Sequence, residues 1–292
     1  MSLHKYAIFA TVVESGSLTR ASEQLGLTQS AVSHALSSLE QEFGFSILMR
    51  SRSGVRVTSN GERVLAYMRE MLRLQEQMQQ DVAAINGLQT GNVRIGTFTS
   101  VSTQWLPGIL KAFQDRYPGV EVTLCEGYYD EIEEWVCGGE VDVGFVSLPT
   151  AVACDCQPLK KDRMLLLVSS DHPLAEQEEV HVEQLAEEPF IMPTVGCDNE
   201  IRRILHAHKL EPRVKFELGD DHAIIAMVAN GLGVSILPEM ILFRLPASIR
   251  AIPLSGDHYR TIGLATASRE QLSPAASRFF AQVQEWVSTA VD

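Results

Sequence analysis

The sequence lacks any apolar run near the roughly 20 residues that a bilayer-spanning helix needs, which excludes helical membrane proteins. Its N-terminus, MSLHKYAIFA, has no basic segment leading through an apolar one to a cleavage site, so the chain is expected in the cytoplasm. Cysteine is scarce: five thiols, an odd number without framework spacing, fit a reducing compartment and exclude a disulfide scaffold. No nucleophile elbow, glycine-rich phosphate loop or His-Glu-X-X-His run is present, so no motif marks an enzyme. Nor is there an excess of positive charge, since 24 basic residues face 37 acidic ones for a net charge of −13. What remains is ordinary globular protein, 45% apolar and 21% charged, in 292 residues that suffice for two or three domains.

The charge is unevenly placed. Residues 1–64 hold six basic and five acidic side chains, a net +1, which leaves −14 on the remainder. An acidic body repels DNA and restricts phosphate contact to the head, whose own weak charge calls for several heads acting together. Within the head, Leu3–Val13 has the apolar spacing of a first helix ended by Gly16. The stretch Leu18–Phe43 then reads as two helices about a tight turn. Ser17 caps the first helix, Gly26 closes it in the left-handed conformation, and Thr28 caps the second. Val32, Leu36, Leu39 and Phe43 draw one apolar stripe along the second helix. Its other face carries Ser30, Ser33, His34 and Ser37 with no acid until Glu40, so phosphates can approach and base edges can be touched. An ordinary core hairpin would not need that acid-free face.

After Gly44 the period changes, and two short extended arms about Gly54 carry Arg50, Arg52 and Arg56, cations suited to phosphate or a narrow minor groove. A merely solvated basic loop would look similar by itself, but this one directly follows a helix-turn-helix. A long helix begins at Thr58 or Ser59, with Ser59 and Glu62 at capping-box spacing. Val64, Met68, Met71, Gln75, Met78, Val82 and Ile85 follow at intervals of four and three, a narrow coiled-coil seam that asks for a partner helix. Gly87 and Gly91 bracket a hinge.

These residues carry a resemblance. Phe9, Gly16, Ser17, Leu18, Ala21, Ala31, Val32, Ser33, Leu36, Leu39, Glu40 and Leu48, then Arg50, Thr58 and Gly61, are similar to the winged helix-turn-helix of the LysR-type transcriptional regulators. The likeness is dense over residues 1–65 and loose beyond about residue 160. It implies an α/β protein with an N-terminal all-α winged helix-turn-helix over 1–58 and a dimerising linker helix with hinge over 59–90. A two-lobed effector domain of periplasmic-binding-protein type would occupy 91–292, lobe I about 91–160 and 267–292, lobe II about 161–266. The expected DNA contacts are Thr28, Gln29, Ser30, Ser33, His34, Ser37, Arg50, Arg52 and Arg56. The implied partners are promoter DNA, a second copy of the chain through the linker helix, a tetramer, a small-molecule effector and RNA polymerase; no cofactor is implied.

From Asn92 strands and helices alternate: Val93–Thr97, Trp105–Tyr117, Val120–Leu124, Asp130–Val136 and Val141–Val146, then a second set from Met164–Val168 to Ile249–Pro253. Strand Thr261–Thr266 leads to a last helix, Ala275–Val287, returning to the first half. Alternation of this kind predicts parallel strands with right-handed crossovers, and two such lobes make a cleft. Ligands in open α/β sheets sit beyond the carboxyl ends of strands, where Thr99, Ser100 and Ser102 follow the first strand. The loop Pro193–Asp198 presents Thr194 and Cys197, and Tyr128 and Tyr129 offer an aromatic wall. In the resembled family the two loops line the effector pocket. The hydroxyls of the first loop serve equally as helix caps. Hydroxyls and helix dipoles favour an anion whereas Asp130 and Asp198 oppose one, so the effector's charge stays open.

Two further readings are carried. Cys154, Asp155, Cys156, His172 and His181 lack zinc spacing, and adjacent strand residues point to opposite faces, so no metal site is assigned. Cys197 precedes a helix, where the dipole favours a thiolate. The peroxide-sensing members of the resembled family carry a reactive cysteine in a similar loop, which makes a thiol switch the alternative function. Against it, His206 stands where a resolving cysteine is expected, and Asp198 raises the thiol pKa.

Overall fold

The computed structural model describes residues 2–51, 54–85 and 90–290. Helices α1 (Leu3–Ser15), α2 (Leu18–Leu25) and α3 (Gln29–Phe43) form the head. The Ser17 hydroxyl accepts the Arg20 N–H, that of Thr28 accepts the Ala31 N–H at 3.2 Å, and Gly26 turns at φ 63°. Val32, Leu36 and Leu39 bury the α3 stripe against Phe9, Val12 and Ala21. Glu40, the first acid on α3, is turned away from the solvent face. Its carboxylate accepts the N–H groups of Ile47 at 2.9 Å and Leu48 at 3.4 Å, tying α3 to the base of the wing. The wing pairs β1 (Leu48–Ser51) with β2 (Gly54–Val57) in antiparallel register, Met49 opposite Arg56.

The linker helix α4 runs from Ser59 to Ile85. Its cap is the hydroxyl of Thr58, which accepts the Gly61 N–H at 2.9 Å, one residue before the expected Ser59–Glu62 box. Gly61 is required here, because a Cβ would lie 2.2 Å from the Ile47 carbonyl oxygen. The predicted seam divides. Leu65 and Met68 are buried in the head core with Val64 packed on it, whereas Met71, Met78 and Ile85 are 40%, 60% and 85% exposed. Tyr67 and Leu74 are exposed with them. On another face α4 lies along the body: Arg69 pairs with Glu140 at 2.6 Å, Arg73 donates to the Gln271 carbonyl at 2.5 Å, and the Gln80 amide oxygen accepts the Ala275 N–H.

The body starts with β3 (Gly91–Thr97), α5 (Thr99–Gln104), α6 (Leu106–Arg116), β4 (Val120–Glu126), α7 (Tyr129–Gly138) and β5 (Val143–Leu148). Strand β3 pairs parallel with both β4 and β5, as alternation predicts. The all-parallel expectation fails after β5. A 15-residue strand β6 (Asp155–Ser169) follows a short connection and runs through both lobes; its N-terminal half, Asp155–Arg163, escaped the sequence reading because its polar residues hide the alternation. The second lobe continues with β7 (Pro189–Pro193), α8 (Asn199–Ala207), β8 (Arg213–Leu218), α9 (Asp221–Ala229), β9 (Ser235–Pro238) and β10 (Ile249–Pro253). β11 (Tyr259–Thr266) and α10 (Pro274–Ala290) return to the first lobe.

The large sheet has the order β10-β6-β11-β5-β3-β4, with β9 also on β6, and every pairing of β6 and β11 is antiparallel. β5 and β6 are both antiparallel to β11, so they run the same way and β11, entering between them, is the reversed strand. Strands β7 and β8 pair parallel in the second lobe. The first lobe's core gathers Ile95, Phe113, Phe145 and Phe279. The second is divided by its sheet into a cluster around Phe190 and Ile236 and another around Leu167 and Ile224. The crossing strands β6 and β11 are therefore the floor between the lobes. Among the described residues no helix is long and apolar enough to cross a membrane.

Candidate functional site

A cavity of about 290 Å³ lies between the lobes over β6 and β11. At its floor is Arg260, 1% exposed, an arginine on the inward phase of a strand whose next inward residues are Ile262 and Leu264. Asp162 on β6 holds the guanidinium at 2.7 Å and accepts from Nε at 2.9 Å. The other donors reach the Tyr129 hydroxyl at 2.5 Å and the Ser100 hydroxyl at 2.6 Å. Phe98 lies under the guanidinium with 5.1 Å to the ring centroid and meets Tyr129 edge to face at 4.9 Å. Each nitrogen of the guanidinium thus has a partner, and the charge is paired, as a buried charge requires. Burial raises the Tyr129 phenol above its ordinary pKa against the opposing pull of Arg260, so it stays protonated.

Two carboxylates face the same cavity from the second lobe. Glu200, 5% exposed on the first turn of α8, accepts the Ser147 hydroxyl at 2.6 Å across the lobe boundary. Asp221 opens α9, and burial raises its pKa, Arg260 opposing and Asp220 adding to the rise. Tyr128 reaches across the cleft: a Cβ on Gly219 would come within 2.4 Å of its hydroxyl, so a side chain there would push the phenol aside.

Of the residues expected at the effector site, Thr99, Ser100, Tyr128 and Cys197 line the cavity. Ser102 and Thr194 are not among its lining residues: the Ser102 hydroxyl shares a 3.2 Å hydrogen bond with Thr97, and Thr194 extends β7, its N–H donating to the Leu218 carbonyl. Asp130 and Asp198 play other parts, Asp130 accepting from Asn199 and the buried Asp198 pairing with Arg202. Sequence reasoning missed Arg260, Asp162, Glu200 and Asp221. A signal existed for Arg260, a charge in phase with the buried residues of its strand.

The premise of the thiol switch weakens here. Burial pushes the Cys197 thiol up to about 12, and Asp221 adds to the rise, outweighing any helix dipole. Cys154 and Cys156 stand two residues apart, which in an extended chain puts both side chains on one face, and their sulfurs lie 3.3 Å apart. Among the described residues no group of three or more His, Cys, Asp and Glu side chains is placed to share a metal ion.

On the head, Thr28, Gln29, Ser30, His34 and Ser37 are exposed on one face of α3, with Ser33 half-buried beside them. Thr28 and Ser30 share a 3.0 Å hydrogen bond, so both hydroxyls are oriented by the cap. Arg56 is exposed on β2; Arg52 lies outside the described residues, as does Gly87 of the hinge, and of Arg50 only the backbone is described.

Residues 3–62 match the bacterial regulatory helix-turn-helix protein, lysR family, and residues 86–288 match the LysR substrate binding domain. The chain is similar to the uncharacterized HTH-type transcriptional regulator YvbU of Bacillus subtilis, 32% identical over 288 residues, covering 98% of each. Its fold is like that of a full-length cysteine-to-aspartate variant of OxyR from Pseudomonas aeruginosa, at TM-score 0.78 and 22% identity over 100% of this chain and 96% of that one. The regulatory domain of Synechocystis CcmR, solved in complex with 2-PG, matches at TM-score 0.64 and 26% identity, covering 69% of this chain and 99% of that one.

Proposed function

Because the chain belongs to the LysR family of bacterial transcriptional regulators, we propose that it holds promoter DNA with α3 and the wing and alters those contacts when a small molecule enters the interlobe cavity. The observation that carries this reading is the cavity's construction. Ser100 and Tyr129 from the first lobe, Glu200 and Asp221 from the second, and Arg260 from the floor converge on one space, so a molecule bound there changes how the lobes meet. In this reading the N-terminal half of α3 supplies base contacts through Ser33, His34 and Ser37, while Arg50, Arg52 and Arg56 supply phosphate contacts. The exposed apolar face of α4 supplies the dimer, and two dimers assemble as a tetramer that meets RNA polymerase on the promoter. In this reading the protein works in the cytoplasm and performs no catalysis.

The test is selection of bound sequences from a pool of random duplexes, followed by footprinting. Enrichment of a two-fold-related sequence with half-sites about one helical turn or a multiple apart is the expected result. A pool that stays random would overturn the reading.

A further inference from the structure

The cavity's charge is lopsided. Of the side chains lining it, Glu126, Glu131, Glu200 and Asp221 are acidic, Arg260 is the one cation among them, and no lysine or histidine joins it. Arg260 is already neutralised by Asp162 and enclosed by Phe98, Tyr129 and Ser100. Glu131 is spent on the Tyr128 N–H at 2.8 Å. Glu200 and Asp221 differ. Neither forms an ion pair among the described residues: Glu200 accepts the Ser147 hydroxyl with one oxygen, and among the same residues no hydrogen bond reaches the Asp221 carboxylate, on which Arg260 acts only through space. Leaving carboxylates half-compensated in a closed space is costly to the empty protein, and a positive group arriving between them removes that cost.

The geometry points to an effector that carries a primary amine, its ammonium seated between Asp221 and Glu200. This rests on the regulator reading above and names the chemical class of its effector. The cavity volume, about 290 Å³, is at the lower end for small-molecule sites and fits a molecule of amino-acid or diamine size. An anion such as a dicarboxylate or phosphoester would meet four carboxylates and a guanidinium with no charge to spare. Where the amine also bears a carboxylate, the hydroxyls of Thr99 and Ser100 line the same cavity to receive it.

Thermal melting of the full chain tests this with two probe sets at equal millimolar concentration: the twenty amino acids with putrescine and agmatine, and pyruvate, 2-oxoglutarate, citrate, shikimate and phosphoglycolate. At least one amine should raise the Tm and no member of the second set should. Titration calorimetry of that amine should then show binding weakened roughly tenfold or more in Asp221→Asn and again in Glu200→Gln, the loss expected of a charge-assisted contact. Stabilisation by the anionic set, no stabilisation by any amine, or an amine whose affinity survives both substitutions would overturn the inference. Sequence selection on the same preparation keeps the two levels apart: enriched duplexes with a failed amine set refute the effector class alone, whereas failed selection refutes the regulator reading.

Discussion

At the scale of single residues the cavity makes opposite demands on its charges, and the predictions follow from which are matched. Removing the partner of the matched one is expensive: Asp162→Asn leaves Arg260 buried beside a neutral amide and should lower folding stability by about 3 to 5 kcal/mol in denaturant titration. Asp221 runs the other way. Its folded pKa lies above its unfolded value, so the stability it contributes is fully present in acid below the unfolded pKa and lost as pH rises through the folded one. The groups facing it are Arg260 and His222, which oppose the shift, and Asp220, which adds to it. Ligand-free Asp221→Asn should therefore melt above wild type near neutral pH, the gap closing in acid; a variant that melts lower at neutral pH would show the carboxylate to be satisfied. Cys197, held protonated by burial, should survive a slight excess of peroxide unoxidised by mass, with the same DNA footprint in wild type and Cys197→Ser. Little of this residue-scale picture was legible beforehand. Hydroxyls after a strand and a thiol before a helix can be seen in a linear string, but Glu200 and Asp221 look like ordinary first-turn acids until the lobes close on them.

At the scale of elements the reading was easiest where a period and its punctuation agree. Ser17, Gly26, Thr28 and Gly44 mark the ends of α2 and α3 because capping and left-handed turns are local chemistry. The seam on α4 was harder: a four-three repeat looks the same whether it faces its own head or another chain, and here its first residues pack into the head while the rest stand exposed. Two substitutions separate those roles. Met68→Ala opens a hole in the head core and should cost about 2 to 5 kcal/mol. Glutamate at both Met71 and Met78 should leave the melt nearly unchanged, yet lower the particle mass in light scattering and weaken operator binding by about a hundredfold or more through lost bivalency. Unchanged mass would send the seam back to its own body. On the wing, Arg56→Ala should weaken binding to specific and random duplexes alike and reduce the salt slope by about one, whereas substitution of His34 should chiefly cost discrimination.

At the scale of the whole molecule, fold class followed from the order of elements, but strand direction after β5 did not. β11 decided that: it enters antiparallel between β5 and the polar half of β6, about a hundred residues after the strand it pairs with, and no local pattern announces the insertion. The same non-locality governs where the chain can be divided. Expectation places the end of the DNA-binding domain at residue 58, where the wing stops, yet the head core takes Leu65 and Met68 from α4, and Leu72 packs on its edge. A fragment ending at 58 loses these side chains and uncovers the part of the head core, chiefly on α1, against which α4 packs, in a unit too small to spare it. Residues 2–58 should accordingly show reduced helicity and no cooperative melt by circular dichroism. Residues 2–85 should melt cooperatively, associate through α4, and bind selected duplexes with the salt dependence of the full chain, because the proposed phosphate contacts all lie in the head. A cooperative melt from the shorter fragment would mean that the three helices and wing close their own core, and that α4 is a spacer and not the head's fourth wall.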